Sequence, residues 1–303
     1  MIATSRIGVP EACINRPPGE GTLGSVPLAE ESVAIRSFRE SVSGRAIDLG
    51  EAALFIAAEE YPGLDVKAEL AKIDILAEEA RPTVIRGQSE RERLQLLCHF
   101  LFETKGYRGN RAAYYDPRNS FLNDVLRRRT GIPISLAILH LEVARRLGIR
   151  LVGIGFPMHF LLAHLDRPTT YVDAFSGRLM DRPEVAKLLA RLSNDQIKLT
   201  DDMLAPVGPR AILERMLRNL KSVYATSGDS ARLLRVIDRI LILRPSAAEE
   251  YRDRGAVFLG IGATPFALAD FERFLALVSK GTERDAVSTL VKKLRSEKSE
   301  LSN

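Results

Sequence analysis

Between Gly131 and Asp173 the sequence carries three residue types that together could catalyse acyl transfer. Ser135 follows a helix-start signal, His159 leads an apolar run typical of a strand, and Asp173 lies in the next such run. A serine attacks a carbonyl carbon when a base removes its proton, and a histidine oriented by a carboxylate is a common base. The pattern therefore predicts Ser135 as nucleophile, His159 as base and Asp173 as the group that fixes the histidine tautomer.

Each of these residues also has an ordinary structural interpretation. Ser135 could cap or pack the first turn of its helix, His159 could be a satisfied core histidine, and Asp173 could end a strand. Their order on successive regular elements favours one shared site over three separate structural roles. A shared site need not be a working catalyst, because a helix N-terminus activates a thiol far more readily than a serine hydroxyl.

Polar side chains between Gly106 and Asn123 supply candidate binding residues next to Ser135. Glycine, asparagine and Asp-Pro signals predict a structured loop here, followed by a short helix. Two interpretations stay open for its polar groups, a hydrogen-bond network closed within the turn or one wall of a cleft. We take Tyr115, Asn119 and Asn123 as the binding candidates. If the site is catalytic, Asn123 would be the oxyanion donor.

The surrounding elements predict an α+β fold that is predominantly helical. Helical patterns begin near Ile47, Asp65 and Ser89. An apolar run from Pro133 to Gly148 predicts a buried central helix. Three short apolar segments separated by turn residues predict an antiparallel sheet packed on that helix: RLVGIGFP, MHFLLAHL and TTYVDAF.

The C-terminal third shows a repeat with an offset of 34 residues, which places Gly228 opposite Gly262. This spacing is typical of tetratricopeptide repeats, in which each unit is a pair of antiparallel helices. We expect units at 214–247 and 248–281, and a capping helix at 282–298. The expected layout is a disordered tail, a helical segment with the core, and a repeat domain, over residues 1–30, 31–205 and 206–303.

Composition limits the classes of partner. The formal charge of +5 is modest for 303 residues, and the absence of tryptophan argues against an aromatic nucleic-acid platform. No signal-peptide pattern or apolar run of membrane-span length is present in the sequence. Cys13 and Cys98 fit neither a disulfide framework nor a zinc spacing. We therefore expect a cytoplasmic protein with no metal or cofactor that binds a protein or peptide rather than nucleic acid or membrane.

Several motifs resemble the bacterial SirB family of transglutaminase-like proteins with a tetratricopeptide tail, over roughly residues 45 to 297: Glu60-Tyr61-Pro62, Gly109-Asn110, YYDPRNSFLNDVL, Arg129-Thr130-GIPISL, GFPMHFLL and YVDAF. The resemblance implies a helical N-terminal segment, a papain-like transglutaminase core and C-terminal repeats. It also implies that Ser135, His159 and Asp173 occupy the triad positions, the first usually a hydroxyl residue in this family. The chain departs from the family at Met158, where glycine is usual, and a side chain there would narrow access to the histidine.

Two functions follow as hypotheses. The first is a transglutaminase-like domain that is non-catalytic or weakly active, with repeats that bind a protein or peptide. The second is a serine-type hydrolase or acyl-transfer enzyme acting on a polypeptide, with Ser135, His159 and Asp173 as its catalytic residues.

Overall fold

The computed structural model describes residues 32–165 and 167–301, so the predicted tail at 1–30 lies outside the described residues. The chain divides into two compact units, and the boundary in the sequence lies between Val223 and Tyr224. The predicted boundary between core and repeats lies earlier, at 205/206, and the domain layout stays a prediction.

The first unit is built mainly from helices, which the sequence begins with recognisable caps. The Asp65 carboxylate accepts a hydrogen bond from the backbone N–H of Ala68, and the Ser89 hydroxyl accepts one from the N–H of Glu92. Both caps lie where the helix-start signals predict them. The helices of this unit are α1 (Val33–Ser43), α2 (Leu49–Ala57), α3 (Val66–Val84), α4 (Glu90–His99), α5 (Leu122–Arg128), α6 (Pro133–Arg146), α7 (Arg182–Ser193) and the start of α8 (Pro209–Ser227).

Helix α1 is an element that the sequence patterns do not predict. Ser32 caps it by accepting the N–H of Ile35, and the helix buries only Phe38 and Val42. Two buried residues one turn apart give too short an apolar stripe to stand out against the polar residues between them.

Helix α6 is the central element of the first unit. Every residue from Pro133 to Ala144 is buried, and the helix packs on two strands of the sheet. Proline occupies the first helical position, where its missing N–H leaves no hydrogen bond unmade. The buried Glu142 carboxylate is paired with Arg145 and Arg146 at the end of the helix. The predicted central helix is confirmed.

The strands are β1 (Arg108–Gly109), β2 (Thr130–Gly131), β3 (Leu151–Ile154), β4 (Leu161–His164), β5 (Arg167–Asp173), β6 (Arg178–Met180) and β7 (Pro206–Val207). The main sheet is antiparallel with the strand order β6-β5-β4-β3-β7. Its central register places Leu162 opposite Val172. Apolar side chains of this sheet form a common core with Val185 and Leu189 of α7. A short parallel pair, β1 with β2, precedes it.

The predicted fold class, α+β and predominantly helical with a small antiparallel sheet, is confirmed. The three predicted segments supply the three adjacent central strands β3, β4 and β5. The sequence does not predict β6 and β7, because β6 has three residues and β7 has two, too few to show a period-two pattern.

The second unit continues with helices whose turns repeat at the predicted spacing. Gly228 and Gly262 both adopt left-handed φ angles, 72° and 78°, at equivalent turns. In those turns the N–H of Asp229 donates to the Tyr224 carbonyl at 3.0 Å, as that of Ala263 does to Phe258 at 2.8 Å. The helices are α9 (Ser230–Leu243), α10 (Ala248–Gly260), α11 (Thr264–Leu277) and α12 (Thr282–Leu301).

Close helix packing in this unit involves a glycine and a partly buried ion-pair network. A Cβ atom on Gly255 would lie 2.8 Å from the ring of Phe271, so α10 and α11 approach closely there. Arg254 bridges Asp238 at 2.6 Å and binds Asp270 through two nitrogens at 2.6 and 2.7 Å. Helix α12 packs on α11 through a shared apolar cluster.

Candidate functional site

Ser135 lies at the third position of α6, and its hydroxyl is used by the backbone around the helix start. The Oγ donates to the Asn119 carbonyl at 2.5 Å and accepts the N–H of Ile132 at 3.1 Å. The side chain is fully buried, with 0% exposed. This arrangement joins the loop before α5 to the start of α6, which is the structural role that a helix-start serine can have.

Gly131 makes this close arrangement possible. A Cβ atom at this position would lie 2.7 Å from the Ser135 Oγ, which is closer than real Cβ contacts allow. Any side chain at residue 131 would therefore displace the serine hydroxyl or the loop that it holds.

His159 and Asp173 form a hydrogen-bonded pair. The His159 Nε2 lies 2.9 Å from the Asp173 Oδ1, and both side chains are largely buried. The carboxylate also accepts the Ser176 hydroxyl at 2.6 Å and the Phe175 N–H at 3.0 Å. Burial alone would raise the pKa of Asp173, but the hydrogen bond and charge of His159, with these other donors, hold it below its usual value.

The pairing fixes the tautomer of His159. An ionised Asp173 requires a proton on Nε2, so Nδ1 is the ring nitrogen that can carry a lone pair. Within the described residues, Nδ1 has no hydrogen-bond partner. An unpartnered ring nitrogen of this kind is what a general base must offer to the group that it deprotonates.

Ser135 and His159 are not hydrogen bonded to each other within the described part of the chain. Of the three predicted triad residues, His159 and Asp173 are joined by a side-chain hydrogen bond, whereas the Ser135 hydroxyl bonds to backbone groups. A catalytic role for the three residues stays a prediction.

The turn before the histidine has an unusual backbone conformation. Met158 has a left-handed φ of 56°, which glycine adopts at far lower cost, and glycine is what the family resemblance leads us to expect there. The methionine side chain packs against the apolar core of the sheet. The expectation that His159 lies on a strand is wrong, because this turn delays the start of β4 to Leu161.

Phe175 contacts the histidine and is itself contacted by an aromatic and a basic side chain. The Phe175 ring meets the His159 ring edge-on, with 6.1 Å between centroids, and contacts Tyr114 at 6.2 Å. The Arg111 guanidinium lies 5.6 Å from the centre of the Phe175 ring. A Cβ atom on Gly109 would lie 2.3 Å from the same ring, so only glycine admits it. Phe175 lies within the YVDAF motif, but nothing in its spacing signals a contact with the histidine.

The family described as the transglutaminase-like superfamily matches residues 67–218, which is half of the chain. This range contains the serine, the histidine and the aspartate described above. The chain belongs to the transglutaminase-like superfamily. A tetratricopeptide-repeat family matches residues 220–292, which include most of the second unit.

Bacterial relatives of this transglutaminase-like chain carry the name UPF0162 protein. The protein from Xylella fastidiosa strain Temecula1 is 40% identical over 245 residues, covering 78% of this chain and 86% of the relative. The protein from Pseudomonas aeruginosa is 33% identical over 236 residues, covering 78% and 87%. Human F-box only protein 21 is 32% identical over 185 residues, or 57% of this chain and 28% of that protein. No solved structure matches the chain.

Arg215 is a residue of the transglutaminase-like core that the sequence patterns did not single out. Its Nη2 donates to the His159 carbonyl at 2.8 Å, and it forms no salt bridge with the described part of the chain. Burial lowers its pKa, an effect that nearby Tyr114 only partly offsets. The two residues are 56 apart in sequence, a separation at which no local pattern carries a signal.

The binding candidates of the core divide into different environments. Asn119 is fully buried, and its side chain bonds Ala113, Tyr114 and Asn110, so it closes a network within the turn. Tyr115 is 65% exposed, and its ring packs edge-on against Tyr114. Their roles in binding a ligand stay predictions.

Asn123 faces a cavity that Tyr61 also lines, and it has no hydrogen bond to Ser135 or His159 within the described residues. Its role as an oxyanion donor stays a prediction as well.

The described residues offer no reactive thiol and no metal-binding cluster. Burial raises the pKa of the Cys98 thiol to about 12, so it stays protonated. Among the described residues, no group of three or more histidine, cysteine or acidic side chains could hold a metal ion. Over that same part of the chain, no helix is long and apolar enough to cross a membrane.

Proposed function

We propose that this protein is a SirB-type transglutaminase-like protein that binds a protein or peptide and does not use Ser135 for catalysis. The observation that carries the proposal is the hydrogen bond from the Ser135 hydroxyl to the Asn119 carbonyl, made by a side chain with no exposed surface. A nucleophile must present its oxygen to the substrate and its proton to a base, and this hydroxyl does neither.

The physical chemistry of serine supports the same proposal. A helix N-terminus can lower the pKa of a thiol toward neutrality, but a serine hydroxyl ionises far above that range. Serine therefore needs direct contact with its base. The transglutaminase-like fold can retain His159 and Asp173 as a structural pair that orders the turn before β4.

The binding half of the proposal rests on the second unit. Tetratricopeptide helices generally mediate protein interactions, and their stacked hairpins present an extended surface to a polypeptide. We place the protein in the cytoplasm, because the described Cys98 is a free thiol and fits a reducing compartment.

A serine-type hydrolase or acyltransferase is the second candidate, and one observation favours it. His159 is held by Asp173 with its Nδ1 unpartnered within the described residues, which is the state of a general base. Catalysis by this route requires that Ser135 leave the Asn119 carbonyl and turn toward the imidazole.

A fluorophosphonate probe distinguishes the two candidates, because it reacts covalently with activated serines. We expect no labelling of the full-length chain under conditions that label a known serine hydrolase. Labelling that disappears in both Ser135→Ala and His159→Ala would overturn the non-catalytic proposal and establish the hydrolase.

Copurification tests the binding half. We expect a polypeptide that remains bound in stoichiometric amount and is recovered with unchanged mass, with the wild-type chain and Ser135→Ala alike. A partner that is cleaved or acylated by the wild-type chain but not by Ser135→Ala would contradict the proposal.

A further inference from the structure

The guanidinium of Arg215 is a half-buried charge that the function proposed above does not use. Its hydrogen bond to the His159 carbonyl, at 2.8 Å, is the only one that its side chain makes with the described residues. Within that part of the chain it has no carboxylate partner, and Tyr114 is the one titratable group that offsets the effect of burial on its pKa. A charge that is partly removed from water without a counter-charge is costly, so a ligand that brings an anion would compensate it.

Polar groups without a partner lie on three side chains of this region. They are the Nε and Nη1 of Arg215, the hydroxyl of Tyr114 and the Nδ1 of His159, none of which has a hydrogen bond with the described part of the chain. All three side chains are partly exposed, and none of these atoms belongs to the fully buried polar atoms that lack a partner among the described residues. A ligand in solution can therefore reach them.

The three side chains are brought together around the ring of Phe175. Its centroid lies 6.1 Å from that of His159 and 6.2 Å from that of Tyr114. Arg215 joins them through its bond to the His159 carbonyl and its electrostatic interaction with Tyr114. The exposed Arg111 guanidinium lies 5.6 Å from the centre of the Phe175 ring, and it has no salt bridge within the described residues. These five residues are called the Phe175 cluster below.

The charge of the Phe175 cluster favours an anion with a single charge. Arg111 and Arg215 bring two positive charges. Among the described residues, Asp173 is the only carboxylate in hydrogen-bond or ion-pair contact with the cluster, and both of its oxygens already accept hydrogen bonds. One positive charge is left to balance, which a carboxylate does and a phosphate dianion would exceed.

We propose that the Phe175 cluster binds a carboxylate group of a polypeptide. The remaining N–H groups of Arg215 can meet both oxygens of a carboxylate, and the Tyr114 hydroxyl supplies a further donor. Burial raises the pKa of Tyr114, so this hydroxyl keeps the proton that it would donate. The Nδ1 of His159 requires an N–H group instead, which a polypeptide carries beside its carboxylates. Only the polypeptide origin of the carboxylate rests on the proposed function.

The test uses N-acetyl-glutamate methylamide, titrated into the full-length chain and followed by NMR at the amides of 109–115, 159 and 173–176. N-acetyl-glutamine methylamide is the matched control ligand, because it has the same shape without the charge. We expect saturable shifts with the glutamate probe and binding about tenfold weaker with the glutamine probe. Absence of saturable shifts, or equal binding of the two probes, would overturn the proposal.

Two further ligands identify the carboxylate. N-acetyl-alanine carries its carboxylate at the chain terminus, so tighter binding of this ligand than of the glutamate probe assigns the site to a polypeptide C-terminus. The reverse order assigns it to an acidic side chain. Methyl phosphate should bind more weakly than the better of these two carboxylates, and tighter binding of methyl phosphate would contradict the assignment to a carboxylate.

Substitutions then assign the contacts. We expect Arg215→Met to weaken binding of the glutamate probe by about tenfold and Tyr114→Phe by about threefold. Tyr114→Phe removes only an unpartnered hydroxyl, so it tests the site without disturbing the turn that Arg215 holds. Arg210→Met is the matched control, because Arg210 lies on the same helix and also donates to a backbone carbonyl, that of Val42.

Equal effects of Arg215→Met and Arg210→Met, or unchanged binding in Tyr114→Phe, would refute the proposed contacts. Binding of these probes depends neither on labelling of Ser135 nor on copurification of a partner. The carboxylate site and the proposed function can therefore fail separately.

Discussion

The hydroxyl of Ser135 lies 2.5 Å from the carbonyl oxygen of Asn119, and this bond connects the helix start to a loop 16 residues earlier. The same carbonyl also accepts the N–H of Ile132 at 3.3 Å. The residue that the sequence marks as a nucleophile is thus the centre of a buried hydrogen-bond set that shapes the entry to α6.

Ser135→Ala should therefore lower the stability of the protein. The substitution removes the donor to the Asn119 carbonyl and one acceptor of the Ile132 N–H, both in a fully buried position. We expect a loss of about 1–2 kcal/mol in the free energy of unfolding, measured by urea denaturation. Ser43→Ala is the control, because the Ser43 hydroxyl makes only an exposed bond to Glu40. Equal free energies of unfolding of the two variants would show that the bond to Asn119 does not stabilise the fold.

His140 should make the protein sensitive to mild acid. Its ring is fully buried, the Nδ1 lies 2.8 Å from the Leu136 carbonyl, and the Nε2 has no partner within the described residues. Burial lowers the pKa of His140 to about 4, against about 6.5 in an unfolded chain. Below pH 6.5 the unfolded chain therefore binds a proton that the folded chain does not, and unfolding becomes easier as the pH falls.

The expected loss from this residue is about 3 kcal/mol between pH 6.5 and pH 4, with no effect above that window. His140→Leu should remove most of this slope when unfolding is followed at a series of pH values. His99→Gln, at an exposed position, should keep it. Asp173 acts at lower pH, because its depressed pKa makes its stabilisation disappear only as the pH falls below about 4. An unchanged slope in His140→Leu would refute the assignment.

Arg215 should position the turn that carries His159. Arg215→Met loses the bond to the His159 carbonyl but also removes a half-buried charge without a salt bridge, so we expect stability to change by less than about 1 kcal/mol. Hydrogen exchange of the His159 amide, which donates to the Phe156 carbonyl, should become faster. Arg210→Met, on the same helix and bonded to Val42, should leave that exchange unchanged. Equal exchange rates of the His159 amide in the two variants would show that Arg215 does not hold this turn.

The elements of the core were accessible from sequence because their signals are local. Pro133 and the apolar run after it mark α6, and the segments that form β3, β4 and β5 are bounded by turn residues. The pairing of β4 with β5 was predictable from two adjacent apolar segments, but His159 reaches Asp173 from the turn before β4 and not from the strand itself.

The remaining features of the site depend on contacts between distant segments. The partner of Ser135 is a backbone carbonyl, and because every residue has one, the residue type does not indicate which carbonyl it is. Arg215 reaches the histidine turn from α8, and Asn123 of α5 lines the same cavity as Tyr61. Such contacts are fixed by how helices pack, which residue periodicity alone does not specify.

Gly255 should be essential to the packing of the repeat helices. A Cβ atom there would lie 2.8 Å from the Phe271 ring, so Gly255→Ala forces the ring or the helix to move. We expect a net loss of about 1–2 kcal/mol, even though alanine favours a helix over glycine. Gly260→Ala on the same helix is the control, because no atom lies within 4 Å of its added Cβ, and it should be neutral or stabilising.

A double-mutant cycle with Phe271→Leu tests the cause of that loss. The shorter side chain leaves room for the added methyl, so Gly255→Ala should cost less in the Phe271→Leu background than in the wild type. Calorimetry of the full-length chain measures the stability change in both backgrounds. An identical cost in the two backgrounds would mean that the close approach of Gly255 to Phe271 does not decide how α10 and α11 pack.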